Sequence, residues 1–353
     1  MLIHKKKTYW DAIPYMGAVL AIDEKDNAKI HESTYQLLKE NTSIDEQQKL
    51  IDGHPFCKSI YDHQNYFAQQ LPFFQVKFLY VYTSYVFYKI GVPLYDALFL
   101  VVLISSILIF TITYNWLKKY HENGLSLLLS VFIFLCWFNI RSFIISSPDA
   151  LAGLFFIAAV YFYLEKNKLK LSYIFLFLAA LTRPDYLFFV VCFSSVAILL
   201  LKVKPSLFAI ATTFACVASV LLVSYNYQYD GWQMFYRSFV DLTVSPQTEA
   251  GKFSVDVYFN GMSNGIKQSL SHKSTFLFLI TLLFPFFILK KLSIAEKIIF
   301  YAILTSVIVR FFIHPWLEER FVFIYIDIFI VVLLKHVDFS RFKNKNLVVA
   351  KNL

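Results

Sequence analysis

Residues 139–185 read NIRSFIISSPDALAGLFFIAAVYFYLEKNKLKLSYIFLFLAALTRPD, and the pattern of this segment indicates the architecture of the chain. It contains two apolar runs separated by the Lys-rich linker EKNKLK at residues 165–170. Polar loops at 139–149 and 183–185 flank the runs, and each loop carries Arg, Pro and Asp. If both runs cross a membrane, the linker faces one side and the two flanking loops face the other. Two loops of the same composition on the same side indicate one shared site.

The composition of the whole chain is typical of a helical membrane protein. The chain has 353 residues, of which 58% are hydrophobic and 19% aromatic, and its mean hydropathy is +0.56. Globular domains are about 45–50% apolar, so this surplus is expected to face lipid. Because backbone groups in lipid must hydrogen-bond within their own segment, the apolar runs are expected to be helices. Uniformly apolar runs also argue against membrane strands, in which apolar and polar residues alternate.

We therefore predict an all-α fold, a polytopic membrane bundle of about nine spans in a multi-pass protein of the bacterial inner membrane. Residues 94–337 form the transmembrane domain, which includes a long outer loop at 226–273. Residues 1–93 form an extracytoplasmic N-terminal segment with interfacial helices, and residues 338–353 form a basic cytoplasmic tail. The spans are expected at 94–116, 124–139, 150–164, 171–182, 186–201, 206–225, 274–289, 295–313 and 321–335.

The side on which residues 1–70 lie depends on how the first spans are counted. Loops on one face are rich in Lys, which makes that face cytoplasmic by the positive-inside rule. With about nine spans and a cytoplasmic tail, the N-terminus lies outside. Either a first span is missing upstream of Met1, or the Tyr-rich stretch 71–90 is itself a span and residues 1–70 are cytoplasmic.

The charge distribution argues against a nucleic-acid partner. The chain has a net charge of +9, yet residues 1–93 contain ten basic and ten acidic side chains. The positive excess therefore belongs to the membrane part, where it signals topology and contact with membrane lipids. The four cysteines show neither a disulfide framework nor metal-ligand spacing.

Arginine is rare and unevenly placed. The chain has six arginines, and five lie on or near the predicted outer face: Arg141, Arg183, Arg237, Arg310 and Arg320. Cytoplasmic loops use Lys almost exclusively, so topology does not account for these arginines. The guanidinium group is a planar fork that suits phosphate. Two explanations remain open, an anionic ligand or ion pairs with nearby carboxylates.

Two further segments contain chemistry-bearing residues. The loop RFFIHPWLEERF at residues 310–321 places His314, Glu318 and Glu319 between two arginines, either as site residues or as an ordinary interfacial turn. In SSPDALAG, Ser147 is expected to be a helix N-cap, with Asp149 in the first turn, where the helix dipole favours an acid. Asp185, which follows Pro184, likewise suits the first turn of a helix.

These motifs give the chain a resemblance to the GT-C class of membrane glycosyltransferases. HPWLEERF resembles the late loop of the lipid-linked mannosyltransferases, and LTRP resembles an Arg-Pro step at the outer end of a span. The segment NIRSFIISSPDALAGLFFIAAVYF resembles an early polar loop that leads into a helix beginning with an acid. The resemblance implies a polyprenyl-phosphate-linked sugar donor and a glycan, lipid or protein acceptor, with inverting transfer.

The resemblance assigns a role to one residue, and the outer-face arginines and acidic loops suggest roles for others. Asp11 in WDAIPY matches the catalytic base of the class, and the phosphate is expected to contact Arg183 and Arg320, with Arg310 and Arg141 nearby. Supporting roles fall to Asp149, Asp185, His314, Glu318 and Glu319. No clear DxD motif is present, so no residue is assigned as a metal ligand, and a divalent ion remains open as a cofactor but lacks support. Two rival functions are a polysaccharide polymerase or ligase, which the loop at 226–273 suits, and a transporter of lipid or solute.

Overall fold

The computed structural model describes residues 9–201, 206–241, 250–271, 289–316 and 318–337, together with 283, 286 and 339. Every regular element within these residues is an α-helix. The prediction of an all-α fold is therefore confirmed for the described part of the chain. Most of the predicted span 274–289 and most of the tail 338–353 lie outside the described residues.

Six short helices precede the first long one: α1 Ala12–Leu20, α2 Asn27–Asn41, α3 Ile44–Ile51, α4 Pro55–Asp62, α5 Gln64–Gln75 and α6 Phe78–Lys89. Local signals in the sequence set several of these boundaries. Asp26 accepts a hydrogen bond from the backbone N–H of Ala28, and Ser43 forms a capping box with Glu46. Such caps satisfy backbone N–H groups that the first turn leaves without partners.

The stretch 71–90 is divided between two helices and does not form one continuous helix. α5 ends at Gln75, and α6 begins at Phe78. In a continuous helix the carbonyl of Phe73 would accept from the backbone N–H of Lys77. Here the Lys77 ammonium donates to that carbonyl. The break thus gives the half-buried Lys77 ammonium a carbonyl partner that the backbone N–H would bond in a continuous helix.

Eleven further helices follow: α7 Leu94–Leu117, α8 Asn123–Phe134, α9 Trp137–Ile144, α10 Asp149–Lys166, α11 Leu169–Thr182, α12 Tyr186–Leu201, α13 Leu207–Asn226, α14 Gly231–Phe239, α15 Val255–Ser271, α16 Ile294–Ile313 and α17 Glu319–Lys335. The apolar runs in the described part of the chain are thus helical and close to the predicted bounds, except that the predicted span 124–139 is divided between α8 and α9, which extends to Ile144. α10 is central, because it packs against α7, α9, α11, α16 and α17.

A membrane location is supported by a few of these helices. Among the described residues, α7 and α13 are long and apolar enough to cross a membrane. A third candidate is the pair α8 and α9, if this pair is one span bent by 68°. α11 and α12 are apolar but shorter. The structure therefore supports a helical membrane protein, and the count of about nine spans remains a prediction.

The segment 226–273, predicted as a long outer loop, contains two helices, α14 and α15. Phe235 and Phe239 of α14 are buried against Met262 of α15. The Ser269 hydroxyl of α15 donates to the carbonyl of Pro315 at 3.0 Å, in the loop between α16 and α17. The aromatic core thus holds α14 and α15 together, and the hydrogen bond from Ser269 attaches them to the loop that carries His314.

A close contact between α10 and α17 supplies a test of this packing. A Cβ atom at Gly153 would lie 2.7 Å from the ring of the buried Phe323. Gly153→Ala is therefore expected to lower the unfolding temperature in detergent, at a cost of about 1–3 kcal/mol. Gly124→Ala is the matched control, because a Cβ atom there meets nothing within 4 Å. Equal unfolding temperatures for the two variants would contradict this packing.

Candidate functional site

The candidate site lies where the ends of seven helices meet. These are the starts of α1, α10, α12 and α17 and the ends of α9, α11 and α16. Eight of the predicted site residues form one continuous set of ion pairs, here called the arginine–carboxylate network: Asp11, Arg141, Asp149, Arg183, Asp185, Arg310, Glu318 and Arg320. The side chain of Glu319 lies outside the described part.

Arg320 is the centre of one half of the network. Its Nη1 atom donates to Oδ2 of Asp11, and its Nε atom donates to Oε2 of Glu318 at 3.0 Å. Oδ2 of Asp149 lies 4.0 Å from the same Nη1 atom. The other oxygen of Glu318 accepts from Nη2 of Arg141 at 3.0 Å. Arg320 thus joins the start of the chain to α9, α10 and α17.

Arg183 is the centre of the other half. It donates to Asp185 through two parallel bonds of 3.0 and 2.9 Å, the fork geometry that favours arginine at carboxylates. Its third bond goes from Nη1 to Oδ1 of Asp149. Asp185 also accepts from Nε of Arg310 at 3.2 Å, and Arg310 donates to the carbonyl of Trp316 at 3.0 Å. Asp149 therefore connects the two halves.

Three of the guanidinium groups lie close to one aromatic ring. The Cζ atoms of Arg183, Arg310 and Arg320 lie 4.5, 4.8 and 5.0 Å from the centre of the Phe321 ring. The negative face of an aromatic ring attracts cations at such distances. Phe321 was not predicted as a site residue, although its place directly after Arg320 in HPWLEERF was a signal.

Burial and charge together set the protonation of the loop between α11 and α12. Burial disfavours the charge on Arg183, but Asp185 and Asp149 outweigh that effect and raise the pKa of Arg183 above its ordinary value. Burial also raises the pKa of Asp185, yet the adjacent Arg183 and Arg310 dominate and hold it below its usual range. Both groups therefore stay charged, and each depends on its partners for this.

Lys77 is a site residue that the sequence reasoning missed. It lies at the break between α5 and α6, and burial and the nearby Arg183 lower its pKa to about 8. Three carboxylates, those of Asp185, Asp11 and Asp149, act on it in the opposite direction. In the sequence Lys77 is one cation in an aromatic stretch, and only the fold brings it to the network.

His314, which was predicted to support the site, is close to the network as a neutral group. It follows α16, and its ring centre lies 4.8 Å from that of Phe239 in α14. Burial, followed by the charge of Arg310, lowers the pKa of His314 to about 3. The imidazole is therefore uncharged near neutral pH and adds no positive charge to the site.

The start of α10 differs from the expected cap. Pro148 occupies the N-cap position, and the Ser147 hydroxyl donates to Oδ2 of Asp149 at 2.8 Å. The prediction that Ser147 caps the helix backbone was wrong. The reason is that Asp149, nearly fully buried, needs hydrogen bonds to both carboxylate oxygens, and Ser147 and Arg183 supply them.

The balance of charge favours an anion over a cation as ligand. In the network four arginines match four carboxylates in number, so a protonated Lys77 leaves one excess positive charge. Within the described ranges no group of three or more His, Cys, Asp or Glu side chains is arranged to hold a metal ion. Arginine forks donate to phosphate oxygens with the same geometry as to carboxylate oxygens.

Comparisons of the chain with family models, with curated proteins and with solved structures found no match.

Proposed function

We propose that the protein is an integral-membrane glycosyltransferase that transfers a sugar from a polyprenyl-phosphate donor to a glycan, lipid or protein acceptor. The observation that carries this proposal is the contact between Asp11 and Arg320 beside the ring of Phe321. It brings a carboxylate near the start of the chain to three arginines from other helices. A base next to a cluster of phosphate-binding groups is what transfer from a sugar phosphate requires.

In this proposal the donor phosphate binds to Arg183, Arg310 and Arg320, with Lys77 as a fourth cation. Phosphate oxygens take over positions on the guanidinium forks that carboxylate oxygens of Asp149 and Asp185 now occupy. As the bond between sugar carbon and phosphate oxygen breaks, negative charge develops on the phosphate. Cations fixed by packing stabilise that charge without having to reorganise.

Asp11 acts as the general base. Its side chain is 21% exposed, against 3% for Asp149, so an acceptor hydroxyl has better access to Asp11. Asp11 accepts a hydrogen bond from Arg320, and a phosphate bound to Arg320 weakens that bond. The freed carboxylate then removes the proton of the acceptor hydroxyl as its oxygen attacks the sugar carbon. Direct displacement of this kind inverts the configuration at that carbon.

An apolar cavity offers a place for the lipid tail. It lies between α11, α12 and α13, has a volume of about 540 Å³ and is lined by Tyr173, Val191, Phe193 and Phe214 among others. Along α12 its lining begins at Val191, about 9 Å from Asp185, and continues to Ile198, about 20 Å away. An isoprenoid chain whose phosphate is at the network can follow α12 into this cavity.

The proposal includes a topology. We place the network on the extracytoplasmic face of a bacterial inner membrane, with about nine helices crossing it. Support comes from Lys118, Lys119, Lys166 and Lys168, which lie at the opposite ends of α7 and α10 and so mark the cytoplasmic side. A polymerase or ligase acting on lipid-linked glycans is the second candidate, since the folded segment of α14 and α15 beside His314 suits a large acceptor.

Variants of Arg183 and Asp11 separate binding from chemistry. The probes are undecaprenyl phosphate, the alcohol undecaprenol, and undecaprenyl phosphate carrying a radiolabelled hexose. Arg183→Ala is expected to lose affinity for undecaprenyl phosphate at least about tenfold, because charge-assisted hydrogen bonds contribute about 1.5–3 kcal/mol each. Asp11→Asn is expected to keep that affinity and to lose sugar transfer to acceptors in native membranes.

The exposed Lys118→Ala is the matched control, because it also removes a cation and is expected to change neither property. Equal binding of undecaprenol and undecaprenyl phosphate would contradict the phosphate site. Normal transfer by Asp11→Asn would contradict the role of Asp11 as base. Binding and displacement of the lipid without a new glycosidic bond would favour a transporter.

The pKa of Lys77 predicts how donor binding depends on pH. Below about 8 the Lys77 side chain is a cation, and above about 8 it is a neutral amine. Affinity for undecaprenyl phosphate is therefore expected to fall as pH rises from 7 to 9. Arginines stay charged in this range, and the second ionisation of a phosphate, with a pKa of about 6, is largely complete at pH 7. Lys77→Met is expected to bind more weakly at pH 7 and to lose the pH dependence. A flat profile for the unmodified protein would rule out a contribution from Lys77.

A further inference from the structure

A second polar site lies inside the bundle, at the break between α8 and α9. The two helices meet at 68°, with Leu135 and Cys136 between them. The Nδ2 atom of Asn139 donates to the carbonyl of Ile133, at the end of α8, at 2.8 Å. Breaks of this kind leave backbone carbonyls free of helical partners, and in membrane proteins they occur where a helix borders a cavity or an ion.

Asp327 faces this break from α17. It is 1% exposed, and its Oδ1 atom accepts from Nδ2 of Asn139 at 2.8 Å. Along the helix it lies about 10 Å from Arg320 and about 12 Å from Lys335, so it is near the middle of α17. Among the described residues, no basic side chain forms an ion pair with it. Carboxylates at such depth are costly and usually mark an ion or proton site.

The space beside Asp327 has room for one small guest. A cavity of about 10 Å³ is lined by Asp327, Asn139, Thr113 and Ser130 together with apolar side chains that include Phe143. This is the size of a single water or a small ion. The Oδ1 atom of Asn139 is buried and has no hydrogen-bond partner. Since Asn139 is itself 1% exposed, an acceptor oxygen is left without a donor inside the bundle.

The oxygen groups that line this cavity determine which ion can bind there. A carboxylate, an amide oxygen and two hydroxyl groups are oxygen ligands of the kind that hard cations prefer. The Ser130 hydroxyl donates its proton to the carbonyl of Ser126 at 2.7 Å, so its lone pairs can face a cation. One carboxylate balances a single positive charge, whereas a divalent ion would bring an uncompensated charge into an apolar surrounding.

We propose that Asp327, Asn139, Thr113 and Ser130 form a binding site for one sodium ion. The ion neutralises Asp327, which forms no ion pair within the described part, and it gives a partner to Oδ1 of Asn139, which has no hydrogen bond there. The inference does not rest on the glycosyltransferase proposal. The sodium site is connected with the arginine–carboxylate network through two helices. These are α9, which carries Arg141, and α17, which begins beside Arg320. A bound ion therefore fixes the junction of the two helices that hold these arginines.

The test uses the purified full-length chain in lipid nanodiscs at neutral pH. Binding of radioactive sodium is measured together with unfolding temperature, in sodium chloride and in N-methylglucamine chloride at equal ionic strength. The unmodified protein is expected to bind a single sodium ion saturably, and its unfolding temperature is expected to rise with sodium over the same range. Asp327→Asn is expected to abolish both effects, and Asp62→Asn, which alters an exposed aspartate, is expected to change neither.

The isosteric variant Thr113→Val removes one ligand and is expected to weaken sodium binding several-fold. It keeps the test decisive if Asp327→Asn does not fold. Absence of sodium binding to the unmodified protein, or unchanged binding by Thr113→Val and Asp327→Asn, would overturn the proposal. Unfolding that depends on pH and is indifferent to sodium would also overturn it, and would show that a proton neutralises Asp327.

Discussion

The rest of the structure depends on the way one guanidinium group, that of Arg320, is shared. It binds Asp11 and Glu318 and lies 4.0 Å from Asp149. Little of this side chain reaches solvent, and a buried charge is tolerated only when partners surround it. Those partners come from the start of the chain, from α10 and from the residue before α17. The short N-terminal helices must therefore fold back onto the bundle, and with them comes Lys77.

Charged side chains at the other end of the bundle are also surrounded by partners. At the ends of the helices opposite the network, Lys335 pairs with Glu296 at 2.9 Å and with Glu165 at 3.5 Å. The indole of Trp116 also donates to Glu165 at 2.9 Å. Between the two ionic ends, α17 contains a single acid, Asp327. The described part of the bundle thus has ion pairs at both ends, and α17 carries one acid, Asp327, near its middle.

The apolar runs predicted most of the helices, because a segment in lipid has no alternative partner for its backbone. The positions of five of the six arginines, with the matching composition of two loops, also predicted that distant loops share a site. Lys77 and the break at Leu135 were not predictable, since each depends on a contact between segments far apart in the sequence, whereas the place of Phe321 beside Arg320 was a signal that was not used. The fold of 226–273 was missed for a similar reason: Phe235 and Met262 belong to a core that only the tertiary structure creates.

The contact between Asp11 and Arg320 is open to a direct measurement. The native cysteines are replaced by serine, Asp11→Cys and Arg320→Cys are introduced together, and the chain is treated in membranes with a short thiol cross-linker. A cleavage site inserted between the two positions shows whether they are joined. If Asp11 lies beside Arg320, the fragments remain linked in the double variant and separate in each single variant. Complete separation in a folded double variant would contradict this contact, because Asp11 would then lie away from the arginines.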